Sequence, residues 1–239
     1  MEIEQITIVG QGNVGTHLYK ALISVGYDVD IINSRSLYNI RNNSELYILA
    51  VRDDSIDDVA SKLSSVNGII VHTSGSKSID VLSKYSTKCG VFYPLQTFTK
   101  NVELNYSEIP FFIEGSDLEV VCALKRVANK ISKLVYDADS ERRKRLHVAS
   151  VFACNYVNHM WTIADEILKN DGLSINVLYP LIEETINKIH KITPYESQTG
   201  PAVRQDMSVI ESHLNFLSDN DDTYNIYKTL SNSIINKHK

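Results

Sequence analysis

Apolar positions change rhythm once along this chain. From Ile6 to about Asp137, short apolar runs alternate with stretches of helical spacing. Ile6–Val9, Tyr27–Asn33, Leu46–Val51, Gly68–Val71, Gly90–Tyr93, Ile109–Ile113 and Val135–Asp137 read as strands. Helical patterns between them carry Leu18, Ala21, Leu22 and Val25, then Ile56, Val59, Ala60 and Leu63, then Leu118 to Leu134. Strands alternating with helices predict an α/β fold with a mostly parallel, doubly wound sheet. After Ala138-Asp139-Ser140 only helical spacing remains. Leu146, Ala149, Ala153, Tyr156, Met160, Ile163 and Ile167 recur at steps of three and four, the pattern of one long amphipathic helix. Three more helices follow: one around Leu178–Ile189, one opened by Gly200-Pro201, and one from about Thr223. The expected division is 1–139 for the sheet domain and 140–239 for an all-helical domain.

The first strand runs into Gly10-Gln11-Gly12-Asn13-Val14-Gly15, a G-x-G-x-x-G between strand and helix. Each glycine has a physical task in dinucleotide binding: a tight turn at Gly10, close backbone approach to a pyrophosphate at Gly12, close helix packing at Gly15. The helix N-terminus adds unpaired N–H groups and partial positive charge. A Gly-rich turn in an unrelated α/β protein is the alternative. In NAD binders a carboxylate at the end of the second strand holds the ribose 2′-hydroxyl, but that place is Asn33, followed by Ser34 and Arg35. Ser34 and Arg35 suit a 2′-phosphate, so the expected cofactor is NADP. A solvated loop arginine is the alternative.

Ligands of open α/β sheets bind beyond the carboxyl ends of the strands. Val51, Ser74 and Gly75 lie there and are assigned to the cofactor. His72, Gln96 and Thr97 lie there too and are assigned to the substrate, with a structural histidine as the other reading of His72. On the long helix His147, Asn155, Asn158 and His159 form a polar stripe among apolar residues. At about 100° per residue, His147 and Asn158 fall within about 20° of one another and Asn155 about 80° away. Such a stripe is either internally paired or lines a cavity. Gly200-Pro201-Ala202-Val203-Arg204-Gln205-Asp206 joins a helix start to Arg204 and Asp206. It reads as a substrate dock or as a Pro-initiated helix with a local ion pair. The run Glu141–Arg145 reads as a solvated helix face.

Composition narrows the function classes. The chain has 239 residues, 43% hydrophobic and 22% charged, with net charge −5. Acidity argues against nucleic acid or an anionic membrane as main partner. No apolar run approaches the roughly 20 residues of a membrane span, and no basic n-region of a signal peptide is visible. Cys89, Cys122 and Cys154 suggest neither a disulfide framework nor a metal site. They read as buried thiols in a reducing cytoplasm.

With these residues in view, the chain resembles the NADP oxidoreductases that join a Rossmann-like domain to a helical domain of unknown function. They are distant relatives of the 6-phosphogluconate and β-hydroxyacid dehydrogenases and of the coenzyme F420-dependent NADP oxidoreductases. The carriers are Gly10-x-Gly12-Asn13-Val14-Gly15, His72-Thr73-Ser74-Gly75, Pro94-Leu95-Gln96-Thr97-Phe98, Leu146-His147 with Phe152-Ala153-Cys154-Asn155, and Gly200-Pro201-Ala202-x-Arg204-x-Asp206. The better-known dehydrogenases use a lysine early in the long helix and an asparagine four residues later. Here Lys144 is followed at that spacing by Val148, and His147 by Val151. The resemblance therefore implies an NADP-dependent oxidoreductase acting on a small carbonyl or imine, with His147 as acid or base and Asn155 orienting the reacting group. Imidazole titrates near neutrality, which suits proton transfer. A non-catalytic NADP-binding sensor or scaffold is the rival, and reduction of a deazaflavin a third option. Spare apolar faces on the helical part point to a homodimer.

Overall fold

The computed structural model describes residues 2–37 and 40–239, which fall into two compact units, 1–155 and 156–239. In the first unit the elements run β1 (Gln5–Val9), α1 (Asn13–Ser24), β2 (Asp28–Ile32), β3 (Leu46–Leu49), α2 (Ile56–Ser61), β4 (Ile69–His72), α3 (Asp80–Ser83), β5 (Cys89–Pro94), β6 (Phe111–Gly115), α4 (Leu118–Ile131), β7 (Val135–Asp137) and α5 (Ser140–Ser150). The strands form one sheet in the order β2-β1-β3-β4-β5-β6-β7. All neighbours are parallel except β5 and β6. The order reverses about β1, which makes the Rossmann-like crevice at the carboxyl ends of β1 and β3.

Strand alternation sorts the core into two layers. Ile6, Ile8, Leu46, Ile48, Ile69, Val71 and Phe92 face α1 and α4, which supply Leu18, Leu22, Leu124 and Val127. Tyr47, Leu49, Ile70 and Cys89 face α2 and α3, which supply Ile56, Val59 and Leu82. The second layer continues through Val91, Tyr93 and Phe112 to Leu146 on α5. A four-residue run such as Leu46–Leu49, buried on both faces, is the signature of an interior parallel strand.

The basic run on α5 corrects the expectation of a solvated face. Arg143 is fully buried; its guanidinium pairs with Glu114 on β6 and donates to the carbonyls of Ser74 and Lys77 and to Ser140 Oγ. Val91 and Glu114 are register partners, so Glu114 lies on the face that α5 covers. This anchoring keeps α5 with the sheet, and the compact units part at 155/156, later than the expected 139/140, although no described residue beyond Asp137 is in a strand. A π-helical turn, Val151–Tyr156, follows α5. The thiols also depart from expectation: Cys89 is buried, but Cys122 and Cys154 are exposed.

The second unit contains α6 (Val157–Lys169), α7 (Tyr179–Ile189), α8 (Pro194–Ser197), α9 (Met207–Phe216) and α10 (Asp221–Lys237). Gly172, at φ 70°, ends α6 in the left-handed conformation that glycine tolerates. Gly200-Pro201 does not open a helix as expected. Residues 201–205 are turns, Gln205 has φ 55°, and α9 begins at Met207 with Asp206 as its N-cap, accepting from Val209 N–H. An apolar cavity of about 300 Å³ lies among Met160, Ile163, Leu217, Ile226, Leu230 and Ile234. No described helix is long and apolar enough to cross a membrane.

Candidate functional site

The dinucleotide fingerprint sits at the carboxyl end of β1. Gly10 has φ 119°, and a Cβ there would lie 2.2 Å from Ala50 O; one at Gly15 would lie 1.9 Å from Gly10 O. Both positions therefore require glycine. Gly12 differs: a Cβ would meet nothing within 4 Å. Gly12 is the N-cap of α1, with no side-chain cap, and the helix's first internal bond is Thr16 N–H to Gly12 O at 3.0 Å. The N–H groups of Asn13, Val14 and Gly15 precede that bond, at the helix N-terminus beside the open volume at Gly12. Glycine backbone, free donors and empty volume fit a pyrophosphate.

The segment after β5 is fastened beside this turn. Asn13 Nδ2 donates to Phe98 O at 2.9 Å, Lys100 Nζ lies 3.5 Å from Gln11 O, and buried His17 bonds Thr99 O and Tyr106 Oη. Gln11 is exposed and reaches Ile31 O, while Val51 packs half-buried against Gly10. At the end of β2, Asn33 Oδ1 accepts from Arg35 N–H at 2.9 Å, Ser34 is half-buried, and Arg35 is exposed. Asp30, in mid-strand, is paired with Arg41 at 3.5 Å. The β2 terminus therefore offers a hydroxyl and a guanidinium and no carboxylate.

Further along the same rim, β4 and β5 end in a tight cluster. Tyr93 Oη lies 3.2 Å from His147 Nδ1, with the rings edge to face at 6.3 Å between centroids. Gly75 makes the approach possible: a Cβ there would lie 2.7 Å from His147 Nδ1 and 2.8 Å from Tyr93 Cζ. The loop is shaped by Ser74, whose Oγ accepts from Ser76 and Lys77 N–H at 3.1 and 3.0 Å, and whose carbonyl accepts from Arg143 Nε. Arg143 stands one turn before His147 on α5, so the side chain that holds the loop and the imidazole are carried by one helix. Burial pushes the Tyr93 hydroxyl up to about 12, with Arg143 opposing and Asp53 adding to the rise.

His72 is committed to this scaffold. It is fully buried, Nδ1 accepts from Ser74 N–H at 3.1 Å, and Nε2 lies 3.3 Å from Ser78 O. Desolvation, helped by the positive charge of Arg143, lowers its pKa to about 4, so the ring is neutral with its proton on Nε2. Both ring nitrogens serve the backbone, which is the structural alternative named for this residue. Gln96 and Thr97 are exposed beyond β5, and Gln96 Oε1 accepts from Thr97 N–H. Asn155 is exposed in the first unit, and Asn158 and Arg204 are exposed in the second. The π turn between His147 and Asn158 adds residues to a turn, so the 100° spacing does not carry across it. Tyr93 was not singled out from the sequence, because it sits in an apolar strand run where an aromatic reads as core.

The family model described as a domain of unknown function, DUF2520, matches residues 109–234, about half of the chain. The chain belongs to this family. A putative NADP oxidoreductase from Bacteroides fragilis is 37% identical over 98% of both chains, with a TM-score of 0.92. Protein TM1727 from Thermotoga maritima is 20% identical over 98% of both, with a TM-score of 0.73. A Streptomyces aurantiacus imine reductase is 13% identical, covering 96% of this chain and 93% of its own, with a TM-score of 0.67. The last two likenesses are of fold alone. No curated protein matches the chain.

Proposed function

We propose that this protein is an NADP(H)-dependent reductase of a small carbonyl or imine, or its reverse oxidase. The observation that carries the reading is the uncapped α1 N-terminus with open volume at Gly12, on the same strand-end rim as the Tyr93–Gly75–His147 cluster. The relative from Bacteroides fragilis, by its name an NADP oxidoreductase, supports it. Backbone N–H groups of Asn13 to Gly15 would hold the pyrophosphate. Ser34 and Arg35 would hold the 2′-phosphate, which favours NADP over NAD. The nicotinamide, when bound, supplies or accepts the hydride. The chain supplies the rest: Ser74 and Gly75 shape the floor at β4, and His147 gives or takes the proton at the reacting oxygen or nitrogen. Asn155, Gln96 and Thr97 are proposed substrate contacts.

A homodimer belongs to the same reading. Among the described residues of 156–239 only Ala202, Ile210 and Ser231 are buried, while Phe216 is 71% and Leu181 65% exposed. A unit of this size without a core needs another surface on which to bury its apolar faces.

The test is turnover. Purified protein given NADPH and a panel of small ketones, aldehydes and cyclic imines should consume NADPH with at least one. His147→Ala should lower that rate by about 10²–10⁴-fold, the usual worth of a general acid, with cofactor affinity unchanged. Tight NADPH binding without turnover of any member would favour the sensor reading.

A further inference from the structure

Tyr93 is almost buried, 8% exposed, and the hydrogen bond of its hydroxyl among the described residues goes to His147 Nδ1. Gly75 closes the remaining side of that nitrogen, since even a methyl group there would lie 2.7 Å from it. Nδ1 is thus walled in by a phenol and a glycine. His147 is half-buried, and Nε2 makes no hydrogen bond among the described residues. We propose that Tyr93 and His147 form a proton relay in which the Tyr93 hydroxyl stores the proton and His147 Nε2 hands it to the substrate oxygen. This inference rests on the reductase reading of the site.

Hydrogen-bond logic sets the direction of the relay. Burial favours the protonated phenol; in the relay its O–H donates to Nδ1 and the imidazole carries its proton on Nε2. A neutral imidazole is a poor acid alone, because losing its last proton would leave an imidazolate. The phenol behind it removes that obstacle. As a hydride reaches the carbonyl carbon, the C=O π pair collects on oxygen. That oxygen takes the proton from Nε2, Nδ1 takes the phenolic proton, and Tyr93 is left as phenolate. One C–H and one O–H bond form on the substrate; the C–H bond of the hydride donor and the phenolic O–H bond break, and the imidazole exchanges Nε2–H for Nδ1–H without net change of charge. An alkoxide is a stronger base than a phenolate, so the transfer runs downhill. Arg143 favours the phenolate electrostatically, and Asp53 opposes it. Protonation of Nε2 by water and return of the Nδ1 proton to Tyr93 restore the pair.

The relay separates two substrate classes. A ketone needs a proton with its hydride, whereas a quaternary iminium becomes a neutral amine with the hydride alone. Tyr93→Phe should therefore lower kcat for a cyclic ketone by about 10²-fold and leave kcat for an N-methyl cyclic iminium unchanged. In mixed H₂O–D₂O the ketone rate of wild type should depend quadratically on deuterium fraction, from two protons in flight, and that of Tyr93→Phe linearly. ¹⁵N spectra of the His147 ring in the free protein should show the Nε2–H form. An Nδ1–H ring in wild type, or equal losses on ketone and iminium in Tyr93→Phe, would overturn the relay. Should wild type reduce neither class, the reductase reading itself fails, and the ring spectrum still judges the hydrogen bond independently.

Discussion

Replacing Arg143 by methionine removes the cation that joins α5, β6 and the Ser74–Lys77 loop. Its side chain is wholly buried, and that of Glu114 is 16% exposed. Methionine fills much of the volume, so the change is chiefly one of charge and hydrogen bonds. The Ser74 and Lys77 carbonyls lose their guanidinium donors, and among the described residues Glu114 keeps Ser140 N–H and Oγ, at 3.2 and 2.9 Å. Removing one partner of a buried pair costs about 3–5 kcal/mol. That is a large part of the roughly 5–15 kcal/mol by which domains are stable. With a urea slope of about 3 kcal/mol per molar, the midpoint should fall by more than about 1 M, read by circular dichroism. The double change Arg143→Met with Glu114→Met should recover much of the loss, because an apolar pair leaves no buried charge. A midpoint for the single variant within about 0.2 M of wild type, equivalent to about 0.5 kcal/mol, would refute the assignment of Arg143 as the pin of this loop.

Other expectations follow from the same geometry. Arg35→Ala should weaken NADPH by about 1.5–3 kcal/mol, the worth of a hydrogen bond to a charged group, and leave NADH unaffected; equal losses in calorimetric titrations would remove Arg35 from the 2′-phosphate site. His72, at about 4 in the folded chain and 6.5 when free, makes the unfolded state the better proton binder between those values. Stability should therefore be complete above pH 6.5 and fall by about 3 kcal/mol as pH drops towards 4. His72→Gln should flatten that fall; an unchanged slope would mean that the ring titrates normally. Light scattering should give twice the 26.9 kDa chain mass, and a monomer at micromolar concentration would contradict the exposed helical faces as a dimer surface.

The sheet was legible because its strands are apolar runs bounded by turns, and a run such as Leu46–Leu49 has few other places in a fold. The fingerprint was legible because backbone freedom leaves its mark as glycine. Residues that act against their type were not. Arg143 stands in a run of charges that would ordinarily be solvated, and only its meeting with Glu114, 29 residues away, buries it. Tyr93 looks like core packing until α5 brings an imidazole to its hydroxyl. The π turn at Val151–Tyr156 leaves the apolar spacing almost intact, so the periodicity continued across it while the polar stripe from His147 to Asn158 did not keep one face. Helix α9 began late for a local reason: Asp206, not Pro201, caps it.

The most direct test of the dinucleotide site is Gly12→Val. Gly12 has φ −75° and ψ −169°, a backbone open to any L-residue, and a Cβ there meets no protein atom within 4 Å. The side chain would occupy only the volume assigned to the pyrophosphate. Calorimetric titration with NADPH, run beside thermal unfolding of the free protein, should show binding by wild type, none by Gly12→Val, and equal unfolding temperatures. Failure of wild type to bind NADPH, or undiminished binding by a well-folded Gly12→Val, would contradict it.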